Sequence, residues 1–127
     1  MRIILGLAAL VLAATPALAD QHTVDAIKTA TTSAGDVLTN SKGMTLYVFD
    51  KDKPGVSNCK GKCIALWPSM PAEASSKNEG QFSVIKREDG SFQWAYKKMP
   101  LYTWVKDKKA GDVTGDGVKN VWHVAKP

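Results

Sequence analysis

The chain has 127 residues and a formal charge of +5, which leaves room for one modest domain and shows no heptad, transmembrane or low-complexity segment. The positive balance is carried almost wholly by lysine, with Arg2 and Arg87 the only guanidinium groups. The bidentate forks that read phosphate and base edges are therefore nearly absent, and nucleic acid is set aside as a partner.

The amino end reads as a secretory signal peptide over residues 1–19. One basic residue, Arg2, precedes an uncharged run from Ile3 to Leu12, and Ala17-Leu18-Ala19 supplies the small side chains of a cleavage site after Ala19. The run is too short to span a bilayer, which takes about 20 residues. Asp20 stands where a lipid anchor requires cysteine, so no stable membrane anchor is expected and the mature protein is periplasmic or secreted. Cleavage removes Arg2 from the 17 basic residues and none of the 12 acidic ones, for a mature charge of +4. The lysines read as solvated surface with a weak attraction to anionic envelope lipids or polymers.

Residues 20–34 are small and polar and are expected to form an irregular lead-in. A short helix through Val24, Ile27 and Thr31 is the alternative. Asp36 to Thr39 and Met44 to Asp50 then form two β-prone runs about the turn Asn40-Ser41-Lys42-Gly43, a hairpin signature. Met44, Leu46 and Val48 fall on one face of the second run and Tyr47 and Phe49 on the other. Two apolar faces predict a central strand covered on both sides.

After the break at Lys51 to Gly55, the segment from Cys59 to Met70 is a loop or short helix ending at Trp67-Pro68. In an oxidising compartment Cys59 and Cys63 are expected to form a disulfide. So small a loop would fix local shape more than global stability. A redox pair or a metal-holding dithiol is the alternative. Strands follow at Phe82 to Ile85, Ser91 to Tyr96 and Leu101 to Val105, with a turn at Arg87 to Gly90, as in a β-meander. Gly111, Gly115 and Gly117 bend the chain before a last strand at Val121 to Val124.

One stretch is written twice. Met44-Thr45-Leu46-Tyr47-Val48-Phe49-Asp50-Lys51-Asp52-Lys53 returns 55 residues later as Met99-Pro100-Leu101-Tyr102-Thr103-Trp104-Val105-Lys106-Asp107-Lys108, and Trp67 with Trp122 and Gly35 with Gly90 keep that spacing. The fold expected is one small, mainly β domain over 35–127, built of two pseudo-repeats (35–89 and 90–127) with few short helices. A unit of this size is near the lower limit for independent folding, so the copies should complete one core.

Tyr47-x-Phe49-x-x-Asp52 and Tyr102-x-Trp104-x-x-Asp107 resemble the Tyr-x-(Phe/Trp/Tyr)-x-x-Asp signature of a bacterial secreted-repeat family, often labelled predicted lipoproteins. The resemblance spans Gly35 to Pro127 and includes Cys59-x-Gly61-x-Cys63, Trp67-Pro68 and Trp122-His123-Val124. It implies export, and a family best known as one of unknown function. From the residues themselves, Tyr and an aromatic at i and i+2 share a strand face, and an aspartate past a strand accepts turn N–H bonds. The motif is thus expected to be structural, with binding as the alternative. Asp107, Asp112 and Asp116 lack calcium-loop spacing. The two histidines, His22 and His123, and the absence of a Gly-x-Ser-x-Gly elbow leave no hydrolytic triad.

The role expected is non-catalytic: a binding protein or envelope component with a protein partner. The alternative is a copper- or redox-linked accessory protein. Cleavage after Ala19 would leave Asp20-Gln21-His22 at the amino terminus, where the Asp20 amine, two backbone amides and the His22 imidazole can close a square of four nitrogens around Cu(II). Copper titration followed by visible absorbance should show one such site in the processed protein and none in His22→Ala.

Overall fold

The computed structural model describes residues 24–127. The expected signal peptide, its cleavage site, and Asp20 and His22 lie outside them. The elements in chain order are β1 (Ile27–Thr32), β2 (Gly35–Asn40), β3 (Tyr47–Phe49), α1 (Lys62–Leu66), β4 (Pro71–Ala72), β5 (Phe82–Lys86), β6 (Phe92–Tyr96), β7 (Met99–Pro100), a 3-10 turn (Val118–Asn120) and β8 (Trp122–Val124). The domain is mainly β, as the sequence predicts.

Where an irregular lead-in was expected, Ile27–Thr32 forms a strand, paired antiparallel with β2 in a register from Ile27 opposite Asn40 to Thr32 opposite Gly35. Its threonines, which weaken the helical alternative, fit a pleated surface through their β-branching. The turn closes as the Ala34 N–H donates to Thr32 Oγ1, and Gly35 takes a positive φ of 89°. The first repeat therefore starts at β1 and not at residue 35. Its counterpart starts at β5, where Phe82 pairs with Tyr96 as Ile27 pairs with Asn40.

The β-meander holds only for β5, β6 and β7, and its third strand is Met99–Pro100 in place of the expected Leu101 to Val105, where Tyr102 makes isolated bridges to Tyr47 and Ser69. The Asn40–Gly43 turn is present, and Leu46 N–H donates to Leu38 O, but β3 takes its ladder partner from the far end of the chain. Tyr47–Phe49 pairs antiparallel with Trp122–Val124. The same exchange occurs in reverse, since Ser69 bridges Tyr102 and Thr103 N–H donates to Pro68 O. Each repeat thus closes with the other repeat's final segment.

The correspondence runs bond by bond. Ala125 N–H donates to Leu46 O as Met70 N–H donates to Leu101 O, and Asp50 N–H to Val121 O as Val105 N–H to Leu66 O. At the centre Tyr47 and Tyr102 exchange both backbone bonds, 2.8 and 3.0 Å, so a pseudo-twofold axis passes between them.

β3 separates two apolar clusters, as its two apolar faces predict. Leu46 joins Ile27, Leu38, Met70, Phe82, Trp94, Leu101 and Ala125. Tyr47 and Phe49 join Cys59, Trp67, Tyr102, Trp104, Trp122 and Val124. Both clusters draw on both repeats, which is why neither half carries a core of its own. Tyr102 is fully buried and Trp104 is 9% exposed, so Tyr102→Ala or Trp104→Ala should cost about 3–5 kcal/mol in denaturant unfolding. An unchanged midpoint would place the rings outside the shared core.

Candidate functional site

The twofold exchange extends to the motif side chains. The Tyr47 hydroxyl donates to Asp107 Oδ2 and the Tyr102 hydroxyl to Asp52 Oδ2, both at 2.6 Å. Tyrosine and aspartate of one motif copy therefore never pair with each other. Each aspartate sits one turn past its strand, its N–H donating to Phe49 O or Trp104 O. Its second oxygen accepts a backbone N–H, from Asn58 to Asp52 and from Thr114 to Asp107. Both carboxylates are buried and carry the multiple donors that a buried anion requires.

Burial raises both phenols above the ordinary tyrosine value of 10.0, and the facing carboxylates raise them further. Burial also raises the Asp52 carboxyl, against the opposing pull of the Asn58 N–H, the Tyr102 hydroxyl and the Arg87 charge. The third motif position is stacked: Phe49 lies on Trp122 and Trp104 on Trp67. All six motif residues, Tyr47, Phe49, Asp52, Tyr102, Trp104 and Asp107, are thus held within the fold.

The symmetry fails around the two phenol oxygens. In the second repeat the Tyr47 hydroxyl accepts from the backbone N–H of Gly115 at 3.2 Å. A Cβ at Gly115 would come within 2.8 Å of the Trp67 ring and 3.0 Å of Tyr47, so that side is sealed by bare backbone. In the first repeat a side chain takes this place: Ser57 Oγ lies 2.7 Å from the Tyr102 hydroxyl. Arg87 donates through Nη1 to Ser57 Oγ and to Gln93 Oε1, and through Nη2 to Cys59 O. Gln93, fully buried, passes its own amide to Leu101 O.

Above this network lies a cleft of about 430 Å³ between the Gly55–Ile64 segment and the β5–β6 turn, with Ser57, Lys60, Lys86, Arg87, Glu88 and Asp89 in its wall. Lys60 and Glu88 pair across it at 2.6 Å. The Cys59–Cys63 disulfide stands behind it, with Cα atoms 5.2 Å apart. Tied sulfurs cannot serve as thiolate ligands. The disulfide holds the Gly61 turn at the start of α1.

A family model described as a secreted repeat of unknown function matches residues 28–70 and 83–126. The chain belongs to this family. No curated protein and no solved structure matches it. The two matched segments of the secreted repeat run from β1 to the end of the exchanged segment at Met70, and from β5 to Lys126, the units that the pairing defines.

Elsewhere in the second repeat Asp112 and Asp116 hold local backbone. Asp112 Oδ2 accepts from the N–H groups of Lys108 and Lys109, which hold its carboxyl below the usual carboxylate range, and Asp116 Oδ1 accepts from Val124 N–H. His123, on β8, lies 2.8 Å from Asp50 at the surface. Ser57, Arg87 and Gln93 are functional candidates that the motif reading does not reach. The one signal for them is Arg87, the single arginine among the described residues of a lysine-rich chain.

The buried phenols set a pH dependence. Unfolded, Tyr47 and Tyr102 lose their protons near 10; folded, they keep them to higher pH, so the folded state binds more protons there. Stability is then fully present below about pH 10 and falls as pH rises beyond it, by up to roughly 1.4 kcal/mol per pH unit for each phenol. Urea unfolding as a function of pH should show this fall, and Tyr47→Phe/Tyr102→Phe should flatten it.

Proposed function

We propose that this protein is an exported, non-catalytic binding protein of the periplasm or extracellular space, and that the cleft over Ser57 and Arg87 receives a small anionic group. The observation that carries the reading is the break in the twofold. Every feature that the repeats share is used to hold the fold, whereas the cleft, its arginine and its disulfide occur once. Among the described residues the Nε hydrogen and one Nη2 hydrogen of Arg87 have no acceptor, since its three hydrogen bonds use the others.

A planar guanidinium fixed by three neutral partners presents its remaining donors at little further cost in side-chain entropy, the arrangement suited to a carboxylate or phosphate oxygen. Lys60 and Lys86 add positive charge at the rim, and Glu88 and Asp89 oppose it, which favours one small anionic group over a polyanion. The non-catalytic reading is supported by the surroundings of Ser57. Its oxygen accepts from Arg87, and because the Tyr102 hydroxyl gives its own proton to Asp52, the Ser57 O–H donates to that phenol oxygen, so a neutral phenol stands where an activating base would.

Amide NMR titrations with inorganic phosphate and with acetate test this. Shifts should concentrate at residues 55–61 and 86–89, and Lys86→Ala, an exposed change, should weaken the interaction several-fold. Shifts spread evenly over distant lysines such as Lys119 would mean that the cleft binds no anion.

A further inference from the structure

Four rings lie face to face through the centre of the molecule in the order Phe49, Trp122, Trp67, Trp104. Their centroids are 4.2, 3.8 and 4.0 Å apart, and the central two planes are within 1° of parallel. Aromatic pairs held by packing alone prefer offset or edge-on contacts at roughly 4.5–7 Å. This stack is closer than that, and such overlap lets a charge on one indole be shared with the next. On either side of the central pair a tyrosine meets an indole edge-on, Tyr47 at Trp67 and Tyr102 at Trp122, 5.3 and 5.2 Å between centroids. Each of these phenols donates at 2.6 Å to a buried aspartate.

We propose that the stack is a one-electron relay: an oxidising equivalent taken up at Trp104 passes through Trp67 and Trp122 and comes to rest on Tyr102 or Tyr47 as a neutral tyrosyl radical. The co-reactant is a small one-electron oxidant of the peroxyl-radical class. It gains one electron and becomes a peroxide anion, leaving the Trp104 ring as a radical cation, and the hole moves along the stacked indoles. An electron from Tyr102 fills it as the phenol O–H bond breaks, and the proton forms a new O–H bond on Asp52 Oδ2. In sum one phenol is oxidised, one peroxyl radical is reduced, and one carboxylate is protonated. Tyr47 and Asp107 provide the same step from Trp67.

The acceptor oxygen is already in place, so proton and electron leave together without any heavy atom moving far. Burial favours the neutral form of Asp52 that the step creates. The sequence also gives the stack a direction. Its two ends are equivalent motif positions, but one is Trp104 and the other Phe49, 9% and 8% exposed, and a phenyl ring is much harder to oxidise than an indole. Tyr102 touches Ser57 in the cleft wall, where a small reductant can restore it. The proposal goes beyond the binding reading and does not rest on it.

Pulse radiolysis of the full chain with azide radical as the oxidant tests the relay, with optical bands and frozen-sample EPR distinguishing indolyl from tyrosyl radicals. The indolyl signal should give way to a tyrosyl signal. Tyr47→Phe/Tyr102→Phe keeps the rings and leaves Tyr96 as the one tyrosine, and there the conversion should be lost. Asp52→Asn/Asp107→Asn should slow it on the order of a hundred-fold. Near-UV circular dichroism reports whether each variant keeps the stack. Should the asparagine variant fail to fold, a deuterium solvent effect on the conversion in the unaltered protein carries the same information, and its presence is expected. An indolyl radical that decays without oxidising tyrosine, or a tyrosyl signal undiminished in Tyr47→Phe/Tyr102→Phe, would overturn the proposal.

Discussion

The reciprocal bridge between Tyr47 and Tyr102 is the contact on which the other long-range contacts depend. Two backbone bonds join the repeats at the pseudo-twofold axis, and everything around them is exchanged: strand partners, phenol acceptors and stacking partners. A chain of this size has too little apolar surface for two cores. Exchange solves that by giving each repeat half of two shared clusters. The consequence is cooperative, because no hairpin can leave without exposing rings that belong to its counterpart.

Exchange also explains why the motif has the residues it has. A buried aspartate is tolerable only when its oxygens are fully supplied with donors, and here the donors come from both repeats: a phenol from across the axis and a backbone N–H from the aspartate's own loop. Such charge-assisted bonds contribute about 1.5–3 kcal/mol each, and more is lost when one partner is removed. The pairs therefore do more than fill space. They specify which tyrosine faces which aspartate, and so the register in which the two copies meet.

The proposed cleft and relay both lie where the copies differ. Gly115 lets bare backbone close over Tyr47, whereas Ser57, Arg87 and the Cys59–Cys63 loop leave Tyr102 beside an open cleft. Phe49 and Trp104 differ at the two ends of the ring stack. Both asymmetries are laid over a symmetric scaffold and occur once: the first takes several side chains and a disulfide loop, the second a single ring.

The sequence alone determined the duplication, the mainly β class, and the two-faced burial of Tyr47–Phe49, because these follow from local alternation and from identities at a fixed spacing. It also predicted the Cys59–Cys63 pairing, which four residues of separation and an exported chain make the natural outcome. It did not determine that β1 is a strand, since Ile27–Thr32 is polar on one side and acquires its partner only in the hairpin. Nor could it show the exchange: a 55-residue spacing is equally compatible with Tyr47 bonding to its own Asp52. Which aspartate accepts, which indoles overlap, and that Arg87 reaches Ser57 and Cys59 of the other repeat as well as Gln93 of its own are all decided by tertiary structure. The physical reason is that each of these contacts joins groups 28 to 60 residues apart, apart from Arg87 with Gln93, 6 apart across one hairpin. No periodicity or spacing rule encodes which side of a shared core such groups will face.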